Sequence, residues 1–417
     1  MDAREALAIG ARARMIRRRR GLSLEVVAGL AGITKQYLSQ LERGQRGFNR
    51  RGLIEDLANA LGCSVADLTG QPYLPPDRAS ADVLTTLPGI RLVLNDYGPT
   101  DVPDLAPRPT EELASLADRA NENCGQAEYV LAGHGVGDLL ARSQGSALTV
   151  VSAERGQAFT AAVTACFVAG VVSSRAGNID LAITAARRGY DLARQYDDRA
   201  LVGFACWYWA CELTSMGART RANAVLSEGI DTLIPAVRLS AADTLAAELV
   251  GMMHLQQART AARERRVQDA HAHLDEAARL ARRVGERNGM RQHFGPTNVA
   301  AWRVSIGVEL VEGAQVYEHA RTVPIDINAL GSRERSSSMH FDLARVLAQE
   351  EGPRDGEAIR HLDMADRIAP QRIRNDPIAR DLVVILDRRA RRRLWELDSL
   401  RNRFGIRRGQ GQQSADN

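Results

Sequence analysis

An all-α protein in two parts is what this chain predicts: a small N-terminal unit with a helix-turn-helix, then a long helical-repeat solenoid. Three observations carry that expectation. The text is rich in Ala, Leu and Arg with few β-branched runs, which favours helix over strand. Across residues 5–70, apolar residues recur at helical spacing between isolated glycines. Beyond residue 110, a turn followed by a small residue on a new helix returns every 40 to 48 residues. At 417 residues and 45% hydrophobic content, the chain is long enough to bury a second, larger core.

The first element is a basic helix over residues 5–20, with Leu7, Ala11 and Ile16 among its apolar positions. Leu24, Val27, Ala28 and Ala31 predict a second helix, and Gly32 breaks it where a tight turn is needed. Thr34 is a good N-cap for the next helix, because its hydroxyl accepts an orphan backbone N–H. That helix buries Leu38 and Leu41 and stops at Gly44, leaving Lys35, Gln36, Tyr37, Ser39 and Gln40 exposed to read base edges. Residues 51–62 and 64–70 supply two more short helices. Two short helices across a glycine turn are the geometry that pushes one helix into the major groove of double-stranded DNA. Charge agrees. Residues 1–70 hold 12 basic and 7 acidic side chains, whereas the rest holds 43 and 44, so the excess cation sits on the reader. The run from Arg17 to Arg20 serves either phosphate contact or a solvated, dipole-favoured helix end.

The run Leu38-Ser39-Gln40-Leu41-Glu42-Arg43-Gly44 resembles the Cro/C1-type (Xre) helix-turn-helix family, with the turn glycine, the cap and the core leucines in register. The resemblance covers residues 5–70. It implies that Lys35, Gln36 and Gln40 read bases, Gln with adenine and Lys with guanine, and that Tyr37 touches a thymine methyl or a phosphate. It implies phosphate contacts for Thr34, Ser39, Arg43, Arg46, Arg50 and Arg51. Two departures are visible: Leu24 stands where many relatives carry a phosphate-binding Gln, and no proline follows Gly44.

Eight of the 14 prolines fall between Pro72 and Pro109, so residues 71–110 are expected to be a linker with room for one or two short helices around Val83–Asn95. Residues 111–405 then repeat as helix pairs. Ala182, Ala222, Ala270 and Ala358 are the small residues of the second helices, with a weaker copy at Val316, and Gly170, Ala210 and Ala258 mark close crossings on the preceding helices. This pattern resembles the tetratricopeptide repeat, best in the last unit through Ala358, Ala365 and Pro370. The stretches 293–303 and 341–349 also resemble a group of actinobacterial regulators that join an Xre-type reader to such repeats. Carried over position by position, the repeat pattern puts Thr164, Phe167, Phe204, Trp207, Cys211, Met252, Leu255, Arg259, Asn298 and His340 on a concave face. Aromatic and Met walls with a few polar groups suit a peptide or small-molecule effector. The other reading is that these side chains pack helix against helix. Asn298 either clamps a peptide backbone or stabilises the helix start after Pro296.

Other signals point nowhere chemical. GHGVGD (133–138) lacks a preceding strand and a following Lys-Ser/Thr, so it is no phosphate loop. His271 and His273 lie on different helix faces and make a poor metal pair. The five cysteines lack a CxxC pair and read as reduced thiols. With no nucleophile–base arrangement, neither enzyme activity nor cofactor nor metal is expected. No 18-residue uncharged apolar run is expected, so a cytoplasmic, nucleoid-associated protein without a membrane partner is anticipated. Residues 406–417 are expected to be a disordered tail. The functional expectation is a homodimeric, sequence-specific transcriptional regulator whose repeats sense an effector. The alternative is a DNA-tethered scaffold whose repeats hold a protein partner.

Overall fold

The computed structural model describes residues 9–73, 78–239, 244–322, 326–390 and 394–406; Leu7 and all but the first residue of the anticipated tail lie outside them. The described residues are helical throughout, without a strand. Five helices make the reader: α1 (Ile9–Arg19), α2 (Leu24–Leu30), α3 (Lys35–Glu42), α4 (Arg51–Leu61) and α5 (Val65–Thr69). Ser23, Thr34 and Ser64 cap α2, α3 and α5 through their hydroxyls. Gly32 and Gly44 take positive φ at the two turns around α3, a conformation that costs glycine nothing. Val27, Ala28, Leu38, Leu41, Leu53, Leu57 and Leu61 close the reader's interior.

The expected linker is largely structured. Helices α6 (Arg78–Leu84) and α7 (Leu87–Asp96) occupy it, and Val83, Leu87, Ile90 and Leu94 are buried in the core of the body. Their three- and four-residue spacing gives α7 an apolar stripe that the prolines around it do not interrupt. Three more helices lead into the repeats: α8 (Thr110–Gly125), α9 (Tyr129–Gly133) and α10 (Val136–Thr149). The glycines of 133–138 serve packing, since a Cβ on Gly137 would come within 2.9 Å of the Gly89 backbone on α7.

The repeats follow as antiparallel pairs: α11 (Arg155–Arg175) with α12 (Ile179–Tyr196), α13 (Arg199–Ser215) with α14 (Arg219–Leu239), and α15 (Leu245–Arg263) with α16 (Val267–Val284). Then come α17 (Pro296–Leu310) with α18 (Ala314–Thr322) and α19 (Arg333–Ala348) with α20 (Asp355–Ile368), closed by α21 (Pro370–Arg374), α22 (Pro377–Arg389) and α23 (Trp395–Arg403). The small residues sit where the pattern puts them. Ala182, Ala222, Ala270 and Ala358 are fully buried, and a Cβ on Gly170 would lie 2.2 Å from the Tyr208 hydroxyl of the next pair. One expectation fails at α11. Its best 18-residue window has a mean hydropathy of 1.5, long and apolar enough to span a membrane by composition, yet 78% of it is buried among the neighbouring helices.

The reader shares its core with the body. Its apolar residues form one cluster with Val304, Val308, Phe341, Leu347, Leu386 and Phe404 of the C-terminal helices. The small independent unit expected from the sequence is therefore packed against the solenoid edge.

Candidate nucleic-acid interface and concave pocket

The second helix of the helix-turn-helix is α3. Thr34 Oγ1 accepts the Tyr37 N–H at 3.2 Å, Leu38 and Leu41 point inward, and Lys35 and Gln36 are exposed while Tyr37, Ser39 and Gln40 are half-buried. Lys35 pairs across the turn with Glu25 of α2, and that contact holds the Glu25 carboxyl below its usual range. The Arg46 guanidinium lies 5.5 Å over the Tyr37 ring and 3.1 Å from Glu351 of the body. Arg43 Nε donates to the Ser39 carbonyl at 3.2 Å.

One expected phosphate contact, Arg51, and one cation of the run with two readings, Arg17, are engaged elsewhere. Arg17 makes a bidentate pair with Glu42 at 2.6 and 2.7 Å, tying α1 to α3. Arg51 turns into the body, where its side chain donates to the Ser215 carbonyl at 3.0 Å, so it faces away from solvent rather than toward a phosphate. The causes differ: Arg17 is held inside the reader by Glu42, whereas Arg51 is taken as a structural donor by the body packed against it.

The body grips the reader at several points. Arg265 donates to the Gly32 carbonyl at 2.7 Å, and Arg388 donates to the Gly44 carbonyl, so both turns flanking α3 are held. The half-buried Asp381 carboxylate accepts the Phe48 N–H at 2.6 Å; its loss of solvent raises its pKa to about 6. Helix α4 has no side-chain cap of its own, and Glu309 of α17 supplies one, accepting the Arg51 and Gly52 N–H groups at 3.1 and 3.2 Å. Burial works against the Glu309 charge, but Arg345, Arg263 and those two N–H groups outweigh it and keep the carboxyl below its usual range. Glu55 of α4 is fully buried between Arg219 at 2.7 Å and Arg263 at 2.8 Å. A Cβ on Gly52 would meet the Arg263 backbone at 3.1 Å, so a larger residue there would have to push the two helices apart by a few tenths of an ångström.

On the inner face of the repeats lies a cavity of about 900 Å³, its open mouth included, lined by the first helices of five successive pairs. Phe167, Trp207, Cys211 and Arg259 are in its wall, as the repeat pattern expects. Thr164 lines a neighbouring cavity with Asp118, Asn121 and Arg291. Phe204, Met252 and Leu255 are instead buried between helices, with the Phe204 ring tilted against Phe167 at a centroid distance of 5.4 Å. Asn298 is fully buried and donates to the His293 carbonyl at 2.8 Å, so its amide orders the 292–293 turn. His340 stacks on His361 of α20, with the Nδ1 atoms 3.0 Å apart, away from the cavity. Residues that the repeat pattern misses complete the wall: Arg175, Tyr208, Glu212, Trp302, Glu334 and Arg335. Glu212 had a readable signal, as the one acid in the apolar run of α13. Arg335 had none, because arginine is common everywhere in this chain.

Comparison with known proteins bears on the reader. A family profile described as a helix-turn-helix domain matches residues 8–69. The chain is 43% identical over 68 residues to the uncharacterized HTH-type transcriptional regulator y4dJ of Sinorhizobium fredii, covering 16% of this chain and 84% of that protein. Among solved structures, Bacillus thuringiensis PlcR in complex with the peptide PapR7 and DNA aligns over 66% of this chain and 94% of its own, at 11% identity and a TM-score of 0.28. That last likeness is too slight to bear on function.

Proposed function

Because this chain belongs to the HTH-type transcriptional regulators, we propose that it binds operator DNA as a homodimer and that its repeats sense an effector in the concave cavity. The observation that carries the DNA reading is the exposed face of α3, a capped helix presenting Lys35, Gln36 and Gln40 beside the arginines at 43, 46 and 50. Lys35 and the two glutamines would read base edges, and Tyr37 would touch a thymine methyl or a phosphate. Arg43, Arg46 and Arg50, with the Thr34 and Ser39 hydroxyls, would set the register on the phosphates.

A homodimer follows from contact economy. One reader of five short helices reaches too few base pairs for tight specific binding, and two-fold readers meet two half-sites. Effector control follows from connectivity. The wall residue Arg259 donates to Gln256, Gln256 donates to Thr214 at 2.9 Å, and the Thr214 carbonyl accepts Arg263, which holds Glu55 of the reader. A ligand engaging Arg259 therefore acts on the clamp that orients α3, and such coupling is typically about 1–3 kcal/mol.

The test is fluorescence-anisotropy titration of the protein against DNA from its own upstream region and against random DNA, at two salt concentrations. Selective binding that is lost on Lys35→Ala, Gln36→Ala and Gln40→Ala supports the reading; equal affinity for both DNAs defeats it. Sedimentation of the full chain decides the second part, since a monomer at all concentrations with and without operator excludes the dimer.

A further inference from the structure

We infer that the concave cavity is built for a small molecule with one carboxylate on a flat apolar body. The inference rests on the effector-sensing reading and names the chemistry of its ligand. The apolar part is set by Phe167, Trp207, Tyr208 and Trp302, whose rings line the cavity from three different helices. Three of them form a contiguous cluster, with ring centroids 4.6 Å apart for Phe167–Tyr208 and 6.4 Å apart, stacked, for Phe167–Trp207. Such walls accept planar groups by offset and edge contacts.

The anionic part follows from a charge imbalance. Glu334 is neutralised by Arg175 at 2.6 Å and Arg372 at 2.9 Å, which bring its carboxyl down to about 2 against the opposing effect of burial. Its neighbour Arg335 faces the cavity with no ion pair and no side-chain hydrogen bond among the described residues, and burial, with Arg175 and Arg372 nearby, pulls its pKa down against the opposing Glu334 charge. Arg259 also lacks an ion pair among the described residues, although it has a neutral hydrogen-bond partner. Its guanidinium contacts the Gln256 amide oxygen and lies 5.0 Å over the Trp302 ring, its Nε has no partner, and burial with Arg263 nearby lowers it to about 10. Both guanidiniums line the same cavity as the Cys211 thiol. A desolvated cation without a counter-ion is costly, and a ligand carboxylate removes that cost.

Two further groups define the rest. Trp207 Nε1–H is buried without an acceptor and offers a donor to the same ligand, the residue itself being 5% exposed. Glu212, 6% exposed, has an unpartnered Oε2 and a carboxyl raised by burial. Its presence disfavours a dianion such as phosphate, which would sit against a second acid. A monoanionic carboxylate meets all four groups.

Calorimetric titration of the full-length protein with naphthylacetate, neutral naphthylacetamide and cationic naphthylethylammonium tests this, because one flat body carries three charges. The acid is expected to bind about tenfold or more tightly over the amide, with the amine weakest. Arg335→Gln should bring the acid-to-amide ratio to about one without lowering the melting temperature, since the guanidinium it removes has no partner to lose. Arg259→Gln should reduce the same ratio. Equal binding of acid and amide, no binding of any of the three, or an unchanged ratio in Arg335→Gln overturns the inference. Operator affinity, measured with and without the acid, separates the two claims: selective acid binding that leaves it unchanged keeps the carboxylate site and removes the sensing reading.

Discussion

Gln40 is half-buried on the outer face of α3, and Gln36 one turn earlier is fully exposed, an i, i+4 pair that follows a single groove edge. Each should contribute about 1–3 kcal/mol on the operator when replaced by alanine, with little change on random DNA. Arg46, which lies over the Tyr37 ring and beside Glu351, is the proposed phosphate contact and should behave differently. Arg46→Ala should weaken all DNA alike and flatten the salt dependence by about one counterion. Anisotropy titrations on specific and random DNA check both; a sequence-selective loss at Arg46 or a uniform loss at Gln40 would show that α3 is docked otherwise. The placement of these residues on α3 was legible because α3 is short, capped at Thr34 and ended by Gly44, all local chemistry. Arg51 was not legible, because the Ser215 carbonyl it serves lies 164 positions away in the chain.

Helix α4 shows how an element depends on a distant one. Its N-cap position is Arg50, which supplies no side-chain bond, and its first N–H groups go to Glu309 of α17. The side chain of Glu309 is 4% exposed and also pairs with Arg345 at 3.1 Å. Glu309→Ala removes one of the two acidic partners of Arg345, which keeps Asp342, and leaves two helix N–H groups unmatched in a buried place, so unfolding stability should fall by about 1–3 kcal/mol. Urea denaturation measures the loss, and hydrogen exchange should rise first in the opening turn of α4; unchanged protection there would mean that the cap carries no weight. The acid was visible in the sequence only as an isolated charge in an apolar helix, with nothing local to name its partners. The aromatic wall was easier: Phe167 and Trp207 follow from repeat register alone. Met252 and Asn298 share that register but are buried between helices, because backbone curvature decides which register positions reach the cavity.

Across the whole molecule, reader and solenoid are joined by buried polar contacts and a common apolar cluster, so the orientation of α3 belongs to both. The Asp381–Phe48 contact makes this junction sensitive to pH. Burial raises the folded pKa of Asp381 from 3.8 to about 6, so the folded state binds this proton more tightly than the unfolded chain. The stability it contributes is complete below 3.8 and is lost as pH rises through about 6. Thermal melts of wild type and Asp381→Asn across that window should therefore converge at low pH and separate above it, with wild type falling relative to the variant. Parallel curves would show that Asp381 titrates normally. The pH effect was out of reach of the sequence, since an exposed Asp and a buried one are written alike.

What the sequence determined by itself was the helical class, the reader with its recognition helix, and the period of the repeats, because capping, glycine turns and apolar spacing act over a few residues. Only the tertiary structure decided which cations remain available to DNA, that α6 and α7 are core rather than linker, and where Glu55, Glu309 and Arg335 stand. Those outcomes depend on burial and on charges brought together from distant parts of the chain, and desolvation has no signature in local sequence.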